Sequence, residues 1–295
     1  MTLLKVVQNI KCKLGEGLLW DDKNCVLLMS DIENNKLIEI DINDFSFCAC
    51  DMPEPISWVL LTECEGIYTV GLKSGIALVD TNSLFNLRWL NRDFPNNPQC
   101  RLNDACTDST GRIWYGSMNY HNERSMDGKL ASFTAGHRLK VHDEGFTVTN
   151  GPLISPDSKY LYFSDTLNGI VYRYSFSLTS GEVANRRTFL TFKEDQGLPD
   201  GMCFDIEGNL WIAMWGAAKV IKFSTAGELL CEFGISAPNV TNVCFCGIGL
   251  DRLFVSTASI GMSKATAKKH PQSGRLFEIM NHGTRGFTSC PVKLS

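Results

Sequence analysis

Residues 149–165 read Thr-Asn-Gly-Pro-Leu-Ile-Ser-Pro-Asp-Ser-Lys-Tyr-Leu-Tyr-Phe-Ser-Asp, two short apolar runs joined by a turn. The polar amide of Asn150 precedes the first run, the turn is rich in Pro, Asp and Ser, and the second run is aromatic and aliphatic. Turn residues between two such runs predict a β-hairpin. Both halves of this hairpin recur along the chain, so the architecture follows from the repeat.

The second run of the hairpin occurs six times at nearly regular intervals. Its marker residues, one in each repeat, are Met29, Thr69, Tyr115, Phe163, Ile212 and Val255. The steps between the markers are 40, 46, 48, 49 and 43 residues, which is the length of a propeller blade. A further strand-like run follows each marker. Five repeats also offer an outer strand, at residues 47–50, 84–90, 139–141, 188–192 and 229–233.

The sixth repeat has only a weak outer run, at residues 286–288, whereas the N-terminal run at residues 4–7 has no assigned partner. We therefore expect the N-terminal strand to complete the last blade, because a closed ring leaves no free sheet edge. The sequence predicts an all-β fold. Specifically, it predicts a six-bladed β-propeller, its ring closed by the N-terminal strand, as a single domain over residues 1–295.

Composition and charge exclude several classes of protein. The 295 residues are 44% hydrophobic and 20% charged, as in ordinary globular proteins, and the net charge is -4. Because phosphate binding requires clustered Lys and Arg, neither nucleic acid nor a membrane surface is expected as a partner. The N-terminal residues lack the apolar run of a signal peptide, and no stretch reaches the about 18 apolar residues of a membrane helix. We therefore expect a cytoplasmic protein.

The chain contains twelve cysteines. In a reducing compartment these are expected to be free thiols. Two Cys-x-Cys pairs, Cys48/Cys50 and Cys244/Cys246, raise the alternative of a zinc site. Their spacing differs from the Cys-x-x-Cys of zinc ribbons, and alternation along a strand points both thiols of a pair to one face. This arrangement favours buried structural cysteines.

The innermost strand of each blade precedes its marker run, and four of these strands begin with a polar side chain in the same phase: Glu16, Asn103, Asn150 and Asp200. Since the innermost strands of a propeller line its channel, these residues are expected to converge near one end of the axis. Two carboxylates and two amide oxygens suit one divalent cation, Ca²⁺, Mg²⁺ or Mn²⁺, with Zn²⁺ or Fe²⁺ also compatible. Without a metal, two buried carboxylates would repel each other, and one would have to take up a proton.

Each of these residues also has a local interpretation as part of a turn. Asn150 and Asp200 each precede a glycine, Glu16 lies between two glycines, and Asn103 precedes an aspartate that could form an Asx turn. Four independent turns in one phase would be a coincidence, which favours a common site.

Two connections are longer than the others, residues 117–128 and residues 257–274. Both follow the second strand of their repeat. Long loops on a rigid scaffold often carry binding function, so each is a candidate lid, with a plain surface insertion as the alternative.

Several motifs follow one another along the chain: Gly15-Glu16-Gly17 with Trp20-Asp21, Ser30-Asp31-Ile32, Arg101-Leu102-Asn103-Asp104, Gly111-Arg112-Ile113-Trp114, Gly116-Ser117-Met118, Thr149-Asn150-Gly151, Ser155-Pro156-Asp157 and Leu198-Pro199-Asp200-Gly201-Met202. Together they resemble a known family, the SMP-30/gluconolactonase/luciferin-regenerating (regucalcin-like) proteins. The resemblance covers nearly the whole chain in order and implies a six-bladed propeller with a divalent cation in its channel.

The resemblance implies roles for five residues. Glu16, Asn150 and Asp200 would be the protein ligands of one divalent metal cation, with Asn103 close by as a ligand or substrate contact and Arg101 as a substrate contact. Because family members typically hydrolyse sugar-acid lactones, the implied substrate is a small-molecule lactone of the aldonolactone or gluconolactone type. The implied enzyme is a metal-dependent lactonase that releases the free acid. The cation would polarise the ring carbonyl, while Asp200 could take a proton from the attacking water.

One stretch departs from the family pattern. Regucalcin-like sequences carry a pair of glutamates after Gly-Thr-Met, the second of which contacts substrate, whereas Met118 is followed here by Asn119-Tyr120-His121. His121 is therefore a candidate for contact with a substrate hydroxyl. The alternative is a solvated loop histidine.

A second functional hypothesis is a propeller that binds a metal or another ligand without turnover, as a calcium-binding regulator or scaffold. A third is a hydrolase of another ester-like substrate. Glu16, Asn150 and Asp200 together favour an enzyme, because a scaffold has no need for two carboxylates in its channel.

Overall fold

The computed structural model describes residues 3–83, 86–94, 97–134, 136 and 138–294, and strands make up most of them. They form six four-stranded antiparallel sheets, which confirms the predicted all-β class and the six-bladed β-propeller. The strands are β1 (Leu3–Val7), β2 (Gly15–Asp21), β3 (Val26–Asp31), β4 (Lys36–Asp41), β5 (Phe47–Asp51), β6 (Ile56–Leu61), β7 (Ile67–Leu72), β8 (Gly75–Asp80), β9 (Asn86–Asn91), β10 (Cys100–Thr107), β11 (Ile113–Asn119), β12 (Gly128–Thr134), β13 (Arg138–Phe146), β14 (Thr149–Ile154), β15 (Tyr160–Asp165), β16 (Ile170–Ser177), β17 (Glu182–Thr191), β18 (Leu198–Phe204), β19 (Leu210–Trp215), β20 (Lys219–Phe223), β21 (Leu229–Gly234), β22 (Val240–Cys246), β23 (Arg252–Thr257) and β24 (Leu276–Met280).

The sheets follow the chain. Five of them are consecutive meanders, β2–β5, β6–β9, β10–β13, β14–β17 and β18–β21. The predicted outer strands correspond to β5, β9, β13, β17 and β21, and residues 84–85 of the predicted run 84–90 lie outside the described residues.

The sixth sheet has the order β1-β24-β23-β22, so the N-terminal strand completes the last blade, as predicted. β1 pairs with β24 in antiparallel register from Leu3 opposite Met280 to Val7 opposite Leu276. Val7 is 1% exposed. The pairing covers the backbone hydrogen-bonding groups of β24, which would otherwise form a free edge.

The chain divides into two compact units of three sheets each. The first combines Met1–Pro55 with Phe192–Thr288, and the second combines Ile56–Thr191 with Ser289–Ser295. That all 295 residues form a single domain stays a prediction.

Large aromatic side chains fill the space between neighbouring sheets within each unit. In the first unit Trp211 is fully buried, stacks on Phe233 and meets Phe245 edge-on, with ring centroids 5.1 and 5.7 Å apart. In the second unit the buried Trp114 meets Phe176 edge-on at 5.4 Å. Truncating such a buried aromatic side chain typically costs about 3–5 kcal/mol, so these contacts are a large part of the stability.

Both tryptophans are also held by a buried aspartate in the hairpin turn beside them. The indole nitrogen of Trp114 donates to Asp108 at 3.0 Å, and that of Trp211 donates to Asp205 at 2.9 Å. The Asp205 carboxylate also forms an ion pair with Lys222 at 2.7 Å. These aspartates therefore serve the turns and the core.

The twelve cysteines are free thiols, as predicted. Cys246 is buried in β22, where burial raises the pKa of its thiol. The predicted burial is wrong for Cys48, which is exposed, and only partly right for Cys50 and Cys244, which are half-buried. Cys48 and Cys50 lie on the outer strand β5. An outer strand packs against a neighbouring sheet less completely than an inner one.

The connection at residues 257–274 contains a short helix, α1 (Lys264–Lys269). The hydroxyl of Ser263 accepts the backbone N–H of Thr266 at 3.1 Å and caps the helix. Across the described residues, no helix combines the length and the apolar character needed to cross a membrane.

His142 gives the stability of the second unit a dependence on pH. Its ring packs on Trp114 at 4.5 Å, and its Nε2 shares a hydrogen bond of 2.8 Å with the hydroxyl of Ser132. Burial, assisted by the nearby positive charge of Lys140, lowers the pKa of His142 to about 4. In the unfolded chain a histidine titrates near about 6.5. Between these values the unfolded state binds this proton more readily than the folded state. The contribution of His142 to stability therefore falls as pH drops from about 6.5 towards 4.

Between pH 7.5 and pH 5 we expect the urea midpoint of the wild type to decrease relative to that of His142→Asn, because only the wild type loses the His142 contribution. Asn keeps a polar group near Ser132 without a titratable ring. Burial also lowers the pKa of His282 and raises that of Asp104 to about 7, and both groups titrate in the variant as in the wild type, so the difference between the two proteins reports on His142. The same pH dependence of the midpoint in both proteins would contradict the assignment to His142.

Candidate functional site

Every innermost strand contains a register shift near its start, the mark of a β-bulge. The shifts fall between Glu16 and Leu19, Ile56 and Trp58, Leu102 and Ala105, Asn150 and Leu153, Pro199 and Met202, and Val240 and Asn242. A bulge bends the strand and redirects its side chains.

The candidate residues therefore lie at bulged strand positions, and their interpretation as hairpin turns is wrong. Gly17 and Gly151 have φ of 58° and 70°, in the left-handed region that favours glycine. The glycine after Glu16 and after Asn150 thus serves the bulge.

The second unit contains a hydrogen-bonded series that joins three of the predicted site residues. Arg101 Nη1 donates to Oδ1 of Asn103 and, at 2.9 Å, to the carbonyl oxygen of Leu102. Asn103 Nδ2 donates to Oδ1 of Asn150 at 3.0 Å, and Asn150 Nδ2 donates to the hydroxyl of Thr166 at 2.8 Å. Arg101, Asn103 and Asn150 are all buried, so these contacts fix the orientation of their polar atoms.

Asp104, the residue after Asn103, binds backbone N–H groups next to this hydrogen-bonded series. Its carboxylate accepts hydrogen bonds from the N–H groups of Ala105 and Gly151, both at 2.8 Å. Burial raises the pKa of Asp104 to about 7, although the two hydrogen bonds favour the charged form. The bond to Gly151 ties β10 to the bulge that presents Asn150.

The first unit holds the two candidate carboxylates. Glu16 and Asp200 are 8% and 5% exposed. Glu16 Oε2 accepts from the backbone N–H of Gly17 at 3.2 Å and from Nδ2 of Asn242 at 3.3 Å. A Cβ atom on Gly201 would lie 2.6 Å from Cγ of Asn242, so only glycine allows β18 to approach β22 this closely. Asn242 therefore contacts Glu16 and packs against the residue that follows Asp200.

A repeated aspartate anchors the chain just before two of the candidates. Asp31 accepts hydrogen bonds from the N–H of Leu14 and of Lys13, both at 3.0 Å, ahead of the bulge in β2. Asp165 accepts from the N–H of Thr147 at 3.0 Å, ahead of the bulge in β14. The Ser-Asp pairs quoted from the sequence thus fix where these innermost strands begin.

The oxygen donors present fit a hard divalent cation. Arg101 and the carbonyl oxygen of Thr149 fix the orientation of the Asn103 amide, so its Nδ2 donates to the oxygen of Asn150, which accepts this hydrogen bond and has two lone pairs. Within the described ranges, no group of three or more His, Cys, Asp or Glu side chains could hold a metal ion. Carboxylate and amide oxygens are ligands typical of Ca²⁺, Mg²⁺ or Mn²⁺.

His121 lies outside the hydrogen-bonded series. It is exposed, in the loop after β11, and its backbone N–H donates to Oδ1 of Asn119 at 3.0 Å. Its ring centroid lies 5.2 Å from that of Tyr120, and the guanidinium carbon of Arg101 lies 5.7 Å from the same Tyr120 ring. The Tyr120 ring therefore lies close to both the His121 ring and the Arg101 guanidinium group.

A separate cavity of about 560 Å³ lies against β10–β13. All four strands contribute to its lining: Cys100 of β10, Ser117 of β11, Lys129 of β12, and Glu144 and Gly145 of β13. Because consecutive residues of an extended strand point to opposite faces, Cys100 and Arg101 leave β10 on opposite sides. The cavity is thus distinct from the contacts of Arg101.

Three residues of the site were not given a role by the sequence: Thr166, Asp104 and Asn242. Asn242 shares the phase of the other candidates, which was the available signal, but its contact with Glu16 spans 226 positions. Asp104 is the last residue of one of the motifs and Thr166 directly follows residues 149–165, yet the partners that show their roles, Gly151 and Asn150, lie on another strand.

Comparisons with known proteins agree with this architecture. The family model described as the SMP-30/Gluconolactonase/LRE-like region matches residues 14–259. The chain is similar to regucalcin of Xenopus laevis, with 29% identity over 281 residues, 93% of each chain. It is also similar to the structure of a luciferin-regenerating enzyme, with a TM-score of 0.93 and 27% identity over 100% of both chains. For the calcium-binding protein regucalcin from Agrobacterium tumefaciens, the TM-score is 0.94 and the identity 22%, over 99% of this chain and 98% of that one. The chain described here belongs to the SMP-30/gluconolactonase/LRE-like family.

Proposed function

We propose that this protein is a divalent-metal-dependent lactonase that hydrolyses a sugar-acid lactone, of the aldonolactone or gluconolactone type, to the free acid. The observation that carries the proposal is the shared placement of its oxygen donors. Glu16, Asn150 and Asp200 are buried polar side chains at the bulge of an innermost strand, each in its own sheet. Membership of a family whose description includes gluconolactonase supports the same reaction.

In this proposal Glu16, Asn150 and Asp200 hold one divalent cation, Ca²⁺, Zn²⁺, Mn²⁺, Mg²⁺ or Fe²⁺. When bound, the cation supplies Lewis-acid chemistry, which polarises a carbonyl group and stabilises negative charge on its oxygen. Asn242 orients the Glu16 carboxylate through its 3.3 Å contact. Supporting contacts of this kind typically raise metal affinity about 10–100-fold.

The remaining residues bind the sugar and move protons. Asp200 takes a proton from the water whose oxygen attacks the ring carbonyl carbon. As the ring C–O bond breaks, the ring oxygen takes up the proton from Asp200 and leaves as a hydroxyl group, which returns Asp200 to its carboxylate form. Arg101 and Asn103 contact lactone hydroxyls or the carbonyl, and their mutual hydrogen bond prepares both side chains for this. His121 is the proposed outer substrate contact.

The test is acid release from a panel of aldonolactones, using chelated protein with and without each of the five cations. We expect turnover to be absent after chelation and restored by at least one cation, which would identify both the metal and the preferred sugar. If metal binds but no lactone is hydrolysed with any cation, the lactonase proposal fails. The remaining readings would then be a hydrolase of another ester or a metal-binding regulator, the latter in keeping with a structural relative described as calcium-binding.

A further inference from the structure

A cluster of side chains able to carry positive charge surrounds the ring of Tyr120 in the second unit. Nζ of Lys73 lies 5.2 Å and the guanidinium carbon of Arg101 lies 5.7 Å from the ring centroid, and the His121 ring centroid also lies 5.2 Å away. Lys73 lies in the turn after β7, Arg101 at the start of β10, and Tyr120 in the loop after β11. In these antiparallel meanders, all three places are at the end of the sheets where the innermost strands begin.

Lys73 adds a positive charge to this cluster. Within the described part of the chain, Lys73 makes no ion pair with a carboxylate. Arg92 adds a further cation next to this turn, through a contact with the Ser74 hydroxyl at 3.4 Å. The nearby Asp127 carboxylate accepts hydrogen bonds from within its own loop, from Asn119 at 2.7 Å and from a serine hydroxyl at 2.6 Å.

The cluster is continuous with the candidate site. Arg101 contacts Tyr120 on one side and donates a hydrogen bond to Asn103 on the other. Asn103 in turn donates to the Asn150 oxygen at 3.0 Å. An unbroken series of contacts therefore runs from the proposed metal ligand Asn150 to Lys73, entirely within the second unit.

We propose that the lactone substrate carries an anionic oxygen-bearing substituent, a carboxylate or a phosphate, which Lys73 and His121 bind beside Tyr120. This inference rests on the proposed lactonase function. The only acid group of a simple aldonolactone is consumed in its ring ester, so such a substrate is neutral and has no use for a cationic cluster. The lactone of a dicarboxylic sugar acid, or of a phosphorylated aldonic acid, retains a charge that hydrogen-bonded cations bind well.

The test compares kcat/KM for three lactones: gluconolactone, the lactone of glucaric acid and the lactone of 6-phosphogluconic acid. The protein is used with the cation identified by the metal panel. We expect kcat/KM to be higher for one of the charged lactones than for gluconolactone. Which of the two is preferred shows whether the site binds a carboxylate or a phosphate. In Lys73→Gln this preference should fall about tenfold through a higher KM for the charged lactone, as expected for a contact made equally in the ground and transition states.

The matched control is Lys159→Gln, which removes the same charge from an exposed turn at the opposite end of the second unit's sheets. It should leave the preference unchanged. Hydrolysis of gluconolactone, with no preference for a charged lactone or an unchanged preference in Lys73→Gln, would overturn the inference and leave the lactonase proposal intact.

Calorimetric titration with glucarate and 6-phosphogluconate separates the two proposals when no lactone is hydrolysed. Binding that weakens about tenfold in Lys73→Gln would keep the anion site and reject the lactonase. Binding that does not depend on Lys73 would reject both.

Discussion

Asp200→Asn is expected to lower kcat/KM for the preferred lactone by at least about a thousandfold, because one change removes a proposed metal ligand and the proposed general base. The Asp200 side chain is 5% exposed at the bulge of β18, and Asn has nearly the same volume and shape. The fold should therefore survive. Metal affinity, measured by calorimetric titration of the chelated protein, should fall as well, since the variant loses one of two carboxylate charges.

The matched control for Asp200→Asn is Asp157→Asn. Asp157 is exposed in the turn between β14 and β15, where it accepts a hydrogen bond from the hydroxyl of Ser155 at 2.7 Å. Its loss should leave both kcat/KM and metal affinity close to the wild-type values. Folded Asp200→Asn protein that keeps more than about a tenth of the activity would show that Asp200 is neither ligand nor base.

The blades could be predicted from the sequence because each one repeats the same local chemistry. Apolar alternation and turn residues at regular steps fix the strands, and these signals need no knowledge of distant contacts. The pairing of residues 4–7 with the last sheet followed from counting, since one repeat lacked an outer strand and one strand lacked a repeat. The same local signals failed for Cys48, because periodicity does not reveal how well an outer strand is covered.

The candidate site was harder to predict than the blades, because the same dipeptide occurs both in hairpin turns and at β-bulges. Asn150 and the glycine after it would suit a hairpin turn, yet they lie at a bulge in β14, where the positive φ of the glycine lets the strand bend. Only the shared phase of several such residues favoured a common site over separate turns. The partners that orient them, such as Asn242 on Glu16, depend on packing between strands that are distant in sequence.

Removing residues 1–8 is expected to be the most damaging change to stability. The deletion takes away all five residues of β1 and exposes the edge of β24, whose residues Leu276, Phe277 and Ile279 are at most 1% exposed in the intact chain. The loss of apolar burial and strand pairing is on the order of 5 kcal/mol, comparable with the whole stability of many domains. A bare apolar edge also pairs with other chains. We expect aggregated protein, or a urea midpoint far below that of the wild type.

Single substitutions keep this prediction testable if the truncated chain cannot be purified. Val7 is 1% exposed opposite Leu276, so Val7→Ala should lower the free energy of unfolding by about 1–3 kcal/mol. Leu3 is 58% exposed at the other end of the same strand, and Leu3→Ser should change it by less than about 0.5 kcal/mol. If β1 packs against β24 as described, the loss in the free energy of unfolding should be large at Val7 and small at Leu3. Equal and small effects at both positions would mean that β1 contributes little to holding the last blade together.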